Sequence, residues 1–193
     1  MNLKTLVLGA GLGLAGLVPR VADGQDVAQY ENLTRAQVHR KLLERAISVN
    51  YDTFQSQVLD YDGGALVLFN SSCPQTKTDE LINQHLEIIY IMLIEQFKDQ
   101  RVNNLPLKFT AYDVCGKSKA EGLPLWKDGE FLRIYLNGQL IDRTGEKGPT
   151  NLEEVKPYYR NYANFWIPLN LTEPNLEYTG LYNGTSKLEK VPK

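Results

Sequence analysis

The alternation of hydrophobic and polar positions along the chain predicts helices and strands in turn. Residues 33–47 place apolar side chains at helical spacing, which is typical of an amphipathic helix packed on a domain. An Asp-Gly-Gly turn signal at 62–64 then precedes the continuous apolar run of residues 65–69. Because no polar residue interrupts that run, it predicts a central strand covered on both faces.

The longest predicted helix follows this strand and spans residues 78–100, where apolar residues recur at three- and four-residue steps. A second strand is predicted over residues 107–114. Asn137-Gly138 is the strongest local signal for a β-hairpin, and it joins two short strands at 131–136 and 139–143.

A last helix is predicted over residues 151–165, and the order of all these elements specifies an α/β fold. The expected architecture is a central mixed sheet of four to five strands with helices on both faces, an N-terminal helix and an irregular C-terminal arm. In that sheet the strands at 65–69 and 107–114 are expected to be adjacent and parallel. The two hairpin strands are expected to pair antiparallel.

The N-terminal residues have the pattern of a secretory signal peptide. A basic start at Lys4 leads into an apolar run, and small residues at Ala22 and Gly24 stand at cleavage spacing. The apolar run has about 13 residues, short of the ~20 that span a bilayer, so cleavage is favoured over an uncleaved signal anchor. The mature chain is expected to have no membrane span and to work in the secretory pathway: the endoplasmic reticulum lumen, the extracellular space or a periplasm.

These signals divide the chain into four parts. The signal peptide covers residues 1–24, and an N-terminal helical extension covers 25–49. One α/β domain spans 50–166, and an irregular tail covers 167–193.

Charge and histidine placement exclude some classes of function. Loss of residues 1–24 removes two positive charges and one negative charge, which changes the net charge from −2 to −3. Basic residues are not concentrated anywhere, so nucleic acid is not an expected partner. His39 lies on the polar side of the first helix and His85 within the apolar pattern of the longest one, without cysteines or carboxylates at ligand spacing. Neither a metal nor a cofactor is expected.

The chain has two cysteines, Cys73 and Cys115. In an exported chain they can form one disulfide, act as a reactive thiol beside a bystander, or both stay free; export favours the disulfide. Cys73 stands between the first central strand and the longest helix. In the string Cys73-Pro74-Gln75-Thr76, threonine occupies the place where a Cys-x-x-Cys redox motif has its second cysteine.

Three stretches, taken in order, resemble a thioredoxin domain. "YDTFQSQVLDYDGGALVLFNSSCPQTK" is similar to its opening, in which a short aromatic-containing helix precedes an apolar strand and the redox cysteine sits at the start of the next helix. "KFTAYDV" resembles the second central strand of that family, and "FLRIYLNGQLIDRTGEKG" resembles its closing hairpin. The similarity covers about residues 50–165, so the domain at 50–166 is expected to be thioredoxin-like.

The resemblance implies that a helix opens at Cys73 or Pro74 and that its free N–H groups stabilise a Cys73 thiolate. Cys73 is then the candidate nucleophile, and Thr76 can at most donate a hydrogen bond to its sulfur. Cys115 ends the neighbouring strand, close enough to Cys73 for a disulfide. That bridge is either a permanent staple, which is favoured, or a reversible pair with Cys115 as the resolving thiol.

The chain also departs from the family pattern. Ser72 replaces the aromatic residue that precedes the first cysteine, and Glu130 stands where the family has a cis-proline. The family has a buried acid behind the cysteines; Asp113 is the nearest replacement, although a hydrogen-bonded role at the strand edge is favoured. The predicted function is a non-catalytic module that binds a protein client or partner subunit. The alternative is a thiol–disulfide oxidoreductase or isomerase acting through Cys73, with or without Cys115; enzymatic activity stays open.

Four Asn-x-Ser/Thr sequons lead to a prediction about maturation. We expect cleavage after about Gly24 and, in a host that glycosylates, glycans on Asn32, Asn170 and Asn183 rather than on Asn70. The reason is steric, because Asn70 ends the covered central strand. N-terminal sequencing and glycopeptide mass spectrometry of the secreted protein check both points; full occupancy of Asn70 would show that this face is open.

Overall fold

The structure is a computed structural model that describes residues 27–115, 131–143 and 148–172. The predicted signal peptide, Glu130 and Asn183 lie outside the described residues. Within the three described ranges, none of the helices combines the length and apolar character needed to cross a bilayer.

The strands of the described residues are β1 (Ile47–Val49), β2 (Gly64–Asn70), β3 (Arg101–Val102), β4 (Leu105–Pro106), β5 (Lys108–Asp113), β6 (Leu132–Leu136) and β7 (Gln139–Arg143). A five-stranded sheet with the order β1-β5-β2-β6-β7 forms the centre of the domain. β1 and β2 both run parallel to β5, whereas β6 runs antiparallel to β2 and β7 antiparallel to β6. β3 and β4 form a separate two-stranded ribbon.

This strand order and these directions are those of a thioredoxin-like fold, so the predicted fold class is confirmed. The two central strands are adjacent and parallel over Ala65–Asn70 and Lys108–Asp113, as expected. The hairpin about Asn137-Gly138 is also confirmed, and both turn residues have positive φ, at 52° and 72°. Asparagine and glycine are the residues that tolerate this left-handed conformation best.

Helices pack on both faces of the sheet. They are α1 (Arg35–Leu43), α2 (Tyr51–Phe54), α3 (Lys77–Phe97), α4 (Leu152–Asn161) and α5 (Ile167–Thr172). A 3-10 turn at Val27–Tyr30 precedes α1, and π-helical segments at Gln55–Leu59 and Tyr162–Trp166 continue α2 and α4.

The last helical stretch extends further than the sequence predicts. An irregular arm is expected from residue 167, but Ile167 begins α5 and is fully buried in the core. Burying this side chain against the sheet favours continued helix through Thr172. Residues 173–193 of the predicted arm lie outside the described part of the chain.

The strand β2 separates two hydrophobic cores. Leu66 and Leu68 point into the larger core, which the sheet forms with α1, α3 and α4. Val67 and Phe69 point into the smaller core under α2 and its π-helical continuation. Every residue of β2 is buried, which confirms the predicted coverage on both faces.

Tyr90 of α3 joins the helix to the two central strands. Its buried hydroxyl lies 2.7 Å from the Leu66 carbonyl oxygen and 2.9 Å from the Thr110 carbonyl oxygen, either of which can accept its proton. The Thr110 N–H donates to the same hydroxyl at 3.0 Å. Burial raises the pKa of Tyr90 well above its ordinary value, so the hydroxyl keeps the proton that it donates.

We expect Tyr90→Phe to lower the free energy of unfolding by about 1–3 kcal/mol, because it removes a buried hydroxyl that hydrogen-bonds to the backbone of both central strands. Urea unfolding followed by circular dichroism measures the change. The matched control is Tyr61→Phe, which removes a hydroxyl that donates to the Pro106 carbonyl oxygen in an exposed setting. Its expected cost is below about 1 kcal/mol, and equal losses from the two variants would contradict the role given to Tyr90.

Candidate functional site

The parallel ends of β2 and β5 bring the two cysteines together. The register pairs Asn70 with Asp113, and the chain continues from these residues to Cys73 and Cys115. The two cysteines form a disulfide with a Cα–Cα distance of 5.4 Å, so the predicted bridge is present. Cys73 is exposed and Cys115 is half-buried.

Polar contacts fix the backbone just before Cys73. The buried Asn83 of α3 donates from its amide to the Ser71 carbonyl oxygen at 2.6 Å and accepts the Ser71 N–H at 3.2 Å. Arg35 of α1 donates to the same carbonyl oxygen at 2.5 Å. The Ser71 hydroxyl accepts the Cys73 N–H at 3.2 Å and donates to the Cys73 sulfur at 3.8 Å. Two helices therefore hold the Cys73 segment in place.

Asp113 connects the two cysteine segments independently of the S–S bond. Its Oδ1 accepts the Ser72 N–H and the Cys115 N–H, each at 2.9 Å. Partial burial opposes ionisation of this carboxyl, but the hydrogen bonds from Ser72 and Cys115 outweigh it and lower the pKa of Asp113. The expectation of a hydrogen-bonded role at the strand edge agrees with this geometry.

The resemblance implies a helix that opens at Cys73 or Pro74, but the helix that follows Cys73 begins further along the chain. α3 begins at Lys77, and Thr76 is its N-cap: the Thr76 hydroxyl accepts the Asp79 N–H, and the Asp79 carboxylate accepts the Thr76 N–H. This reciprocal capping box satisfies the Thr76 and Asp79 amides locally. The hydroxyl that donates to the Cys73 sulfur belongs to Ser71 rather than to Thr76.

A buried carboxylate lies behind this segment. Glu87 of α3 is 0% exposed, and its Oε1 accepts a hydrogen bond from the Asn70 amide at 2.9 Å and from His39 Nδ1 at 3.0 Å. Its other oxygen, Oε2, has no hydrogen-bond partner among the described residues. The hydrogen bond with Glu87 raises the pKa of His39, against the opposing effect of partial burial.

Sequence reasoning missed Glu87, Asn83 and Arg35 as residues of this site. For Glu87 a signal was available, because it stands between Leu86 and Ile88 in a stretch that is otherwise apolar. A helical glutamate surrounded by apolar neighbours on both sides cannot reach solvent easily. Its partners could not be identified, since His39 and Asn70 come from other elements.

The remaining predicted residues lie away from the disulfide or outside its chemistry. Asn32 is exposed before α1, whereas Asn70 is 2% exposed and bonded to Glu87, in agreement with the steric reason for excluding it from glycosylation. His85 is buried and hydrogen-bonds to the Pro149 carbonyl oxygen at 3.1 Å. Across the part of the chain that the structure describes, His, Cys, Asp and Glu form no group of three or more that could hold a metal ion.

Comparisons with known proteins add little to this geometry. No protein-family model matches the chain, and no curated protein matches it at the significance required. Among solved structures, the chain is similar to the zinc-bound form of human ERp44, with 15% identity and a TM-score of 0.38, over 61% of this chain and 32% of that one. The chain thus spans about a third of that structure, and the assignment of the fold follows from the strand order.

The disulfide generates a prediction about stability. It closes a loop of 42 residue steps, for which the chain-entropy estimate gives about 3–4 kcal/mol of stabilisation. Cys115→Ser should therefore lower the melting temperature and leave Cys73 open to alkylation. Calorimetry and mass spectrometry after labelling measure both effects; rapid labelling of both thiols in the untreated wild-type protein would contradict the bridge.

Proposed function

We propose that the chain is a non-catalytic thioredoxin-fold module of the secretory pathway that binds a protein client or partner subunit. The Cys73–Cys115 bridge then serves as a lasting part of the scaffold. The start of α3 at Lys77 is the observation that carries this proposal. Cys73 lies three residues before the N-cap Thr76, so it does not stand at the helix N-terminus, where the free N–H groups and the dipole activate a redox cysteine.

The charge beside the bridge supports the same conclusion. Reduction would place the Cys115 thiol close to the Asp113 carboxylate, which accepts the Cys115 N–H. A negative neighbour disfavours a thiolate and raises the pKa of the thiol. A thiol with a raised pKa has a small thiolate fraction near neutral pH, so it attacks less often, and it is a poorer leaving group in thiol–disulfide exchange.

The contacts of Asp113 also favour the closed disulfide. Asp113 accepts the Ser72 and Cys115 amides through contacts that do not involve the sulfur atoms. The two thiols of a reduced protein would therefore stay adjacent, and a high effective concentration of one thiol near the other favours reoxidation. Such a bridge resists reduction by external thiols.

Protein contact is the proposed activity, and the turn between α1 and β1 offers a first surface to map. Leu43 at the end of α1 is 48% exposed, and Ile47 at the start of β1 is 42% exposed. Exposed residues of this size on both sides of one turn provide apolar area for a partner. The net charge of the mature chain, near neutrality, also suits a protein partner better than nucleic acid.

Thiol–disulfide exchange is the second candidate, and the exposure of Cys73 favours it. A client thiolate would attack the Cys73 sulfur and form a mixed disulfide with it. The Cys73–Cys115 bond would break, and Cys115 would leave with the bonding electron pair as a thiolate. A second client thiol, or Cys115 itself, would then resolve the mixed disulfide.

Insulin reduction separates the two candidates. We expect far less turnover than a Cys-x-x-Cys thioredoxin domain gives under the same conditions, because the helix does not begin at Cys73 and the bridge to Cys115 resists reduction. A parallel assay measures suppression of aggregation of a reduced, unfolded protein, with a Cys73→Ser/Cys115→Ser double variant as control. The proposal expects the folded double variant to keep this suppression; turnover equal to that of the Cys-x-x-Cys domain and abolished by Cys73→Ser would favour exchange instead.

A further inference from the structure

We propose that the contact between His39 and Glu87 is a pH-sensitive latch that holds the N-terminal helix α1 on the domain. This inference is separate from the proposed function, since it does not depend on a client or on exchange at the disulfide. It depends on a buried acid from one helix whose charge is balanced by a partly exposed base from another.

Because Glu87 is buried, the proton that it shares with His39 determines whether this pair has a net charge inside the protein. The Glu87 side chain is fully buried, and that of His39 is 34% exposed, with 3.0 Å between Oε1 and Nδ1. The pair is electrically neutral while it shares one proton, whichever of the two groups carries it. Removal of that proton leaves a negative charge inside the protein, stabilised by the Asn70 amide and with Oε2 unbonded among the described residues. An unbalanced buried charge is costly, and hydration by opening of α1 relieves that cost.

Among the residues that the structure describes, the charged groups that act on His39 come from three elements. Glu87 of α3 and Asp113 at the end of β5 favour the protonated ring, whereas Arg35 on α1 itself opposes it. β2 contributes the neutral Asn70 amide through Glu87. The hydrogen bond to Glu87 has the largest effect and raises the pKa of His39.

The direction of the pH dependence follows from that shift. A base whose pKa is raised by docking contributes its full stabilisation of the docked state when the pH is below the pKa of the undocked base, which is about 6.5 for histidine. This stabilisation is lost as the pH rises through the higher pKa of the docked state. α1 is thus held most firmly at mildly acidic pH and opens more often at alkaline pH.

Other contacts of α1 set a basal level of opening that does not change over this pH range. Val38 and Leu42 are fully buried in the larger core. Near the helix start the Gln84 amide donates to the Leu33 carbonyl oxygen at 3.1 Å, and beyond its end Arg45 donates to Glu95 at 2.9 Å. The latch therefore regulates local opening of α1, and opening also withdraws Arg35 from the Ser71 carbonyl oxygen beside the disulfide.

Hydrogen exchange of the α1 amides in the disulfide-bonded protein tests the latch. Rates are measured by mass spectrometry between about pH 6 and about pH 9, on both sides of the ordinary histidine pKa, and corrected for intrinsic exchange. In the wild type, the equilibrium constant for opening of α1 should increase at high pH, by tenfold for each unit by which docking raises the pKa of His39. NMR titration of the ring protons gives that pKa directly, because His39 and His85 are the two histidines of the chain.

Three variants make the result specific. His39→Gln should open readily at every pH, and Glu87→Gln should stay docked at every pH, since it keeps the shape and removes the buried charge. The control is Arg40→Gln, which removes an exposed charge from the same helix and should keep the wild-type pH profile. Wild-type opening that does not change with pH, or a pH dependence that persists in Glu87→Gln, overturns the latch. If His39→Gln folds poorly, the comparison of Glu87→Gln with the wild type still tests the latch.

Discussion

The parallel pairing of β2 with β5 is the constraint on which the rest of the domain depends. It fixes the two strand ends side by side, so that residues following Asn70 and Asp113 share one edge of the sheet. The hydroxyl of Tyr90 reaches the backbone of both strands from α3, which sets the height of that helix over the sheet. Once these three elements are in place, the cysteines lie within bonding distance without any contribution from a helix end.

The polar groups at this edge also explain why the N-terminal helix belongs to the domain. α1 contributes Arg35 and His39 to contacts whose other members come from the Cys73 segment and α3. Its apolar side fills part of the larger core. A buried carboxylate on α3 would be unfavourable without a base nearby, so α1 supplies both surface area and charge compensation. The domain defined from residue 50 onward is therefore incomplete as a packing unit without residues 34–43.

Local patterns in the sequence were sufficient for the elements and their order, but not for the contacts between them. The apolar run at 65–69 and the Asn137-Gly138 turn predicted a covered strand and a hairpin, because buried positions and positive-φ positions restrict which residue types occur there. Helical periodicity placed the start of the longest helix at residue 78, whereas family resemblance placed it at Cys73 or Pro74. The structure agrees closely with the former, because Thr76 and Asp79 form a capping box at the helix start. The partners of Glu87 could not be read in the same way, since His39 is 48 residues away along the chain.

The order of the two cysteines along the chain has a consequence for biosynthesis. Cys115 follows Cys73 by 42 residues, and at ordinary elongation rates of about 5–20 residues per second it emerges roughly 2–8 seconds later. β5 lies within that interval, so β2 has no parallel neighbour when Cys73 first appears. In an oxidising compartment, the Cys73 thiol would meet oxidants and other thiols during this time without its native partner. A nascent chain of this design therefore passes through a stage at which an intermolecular disulfide competes with the native one.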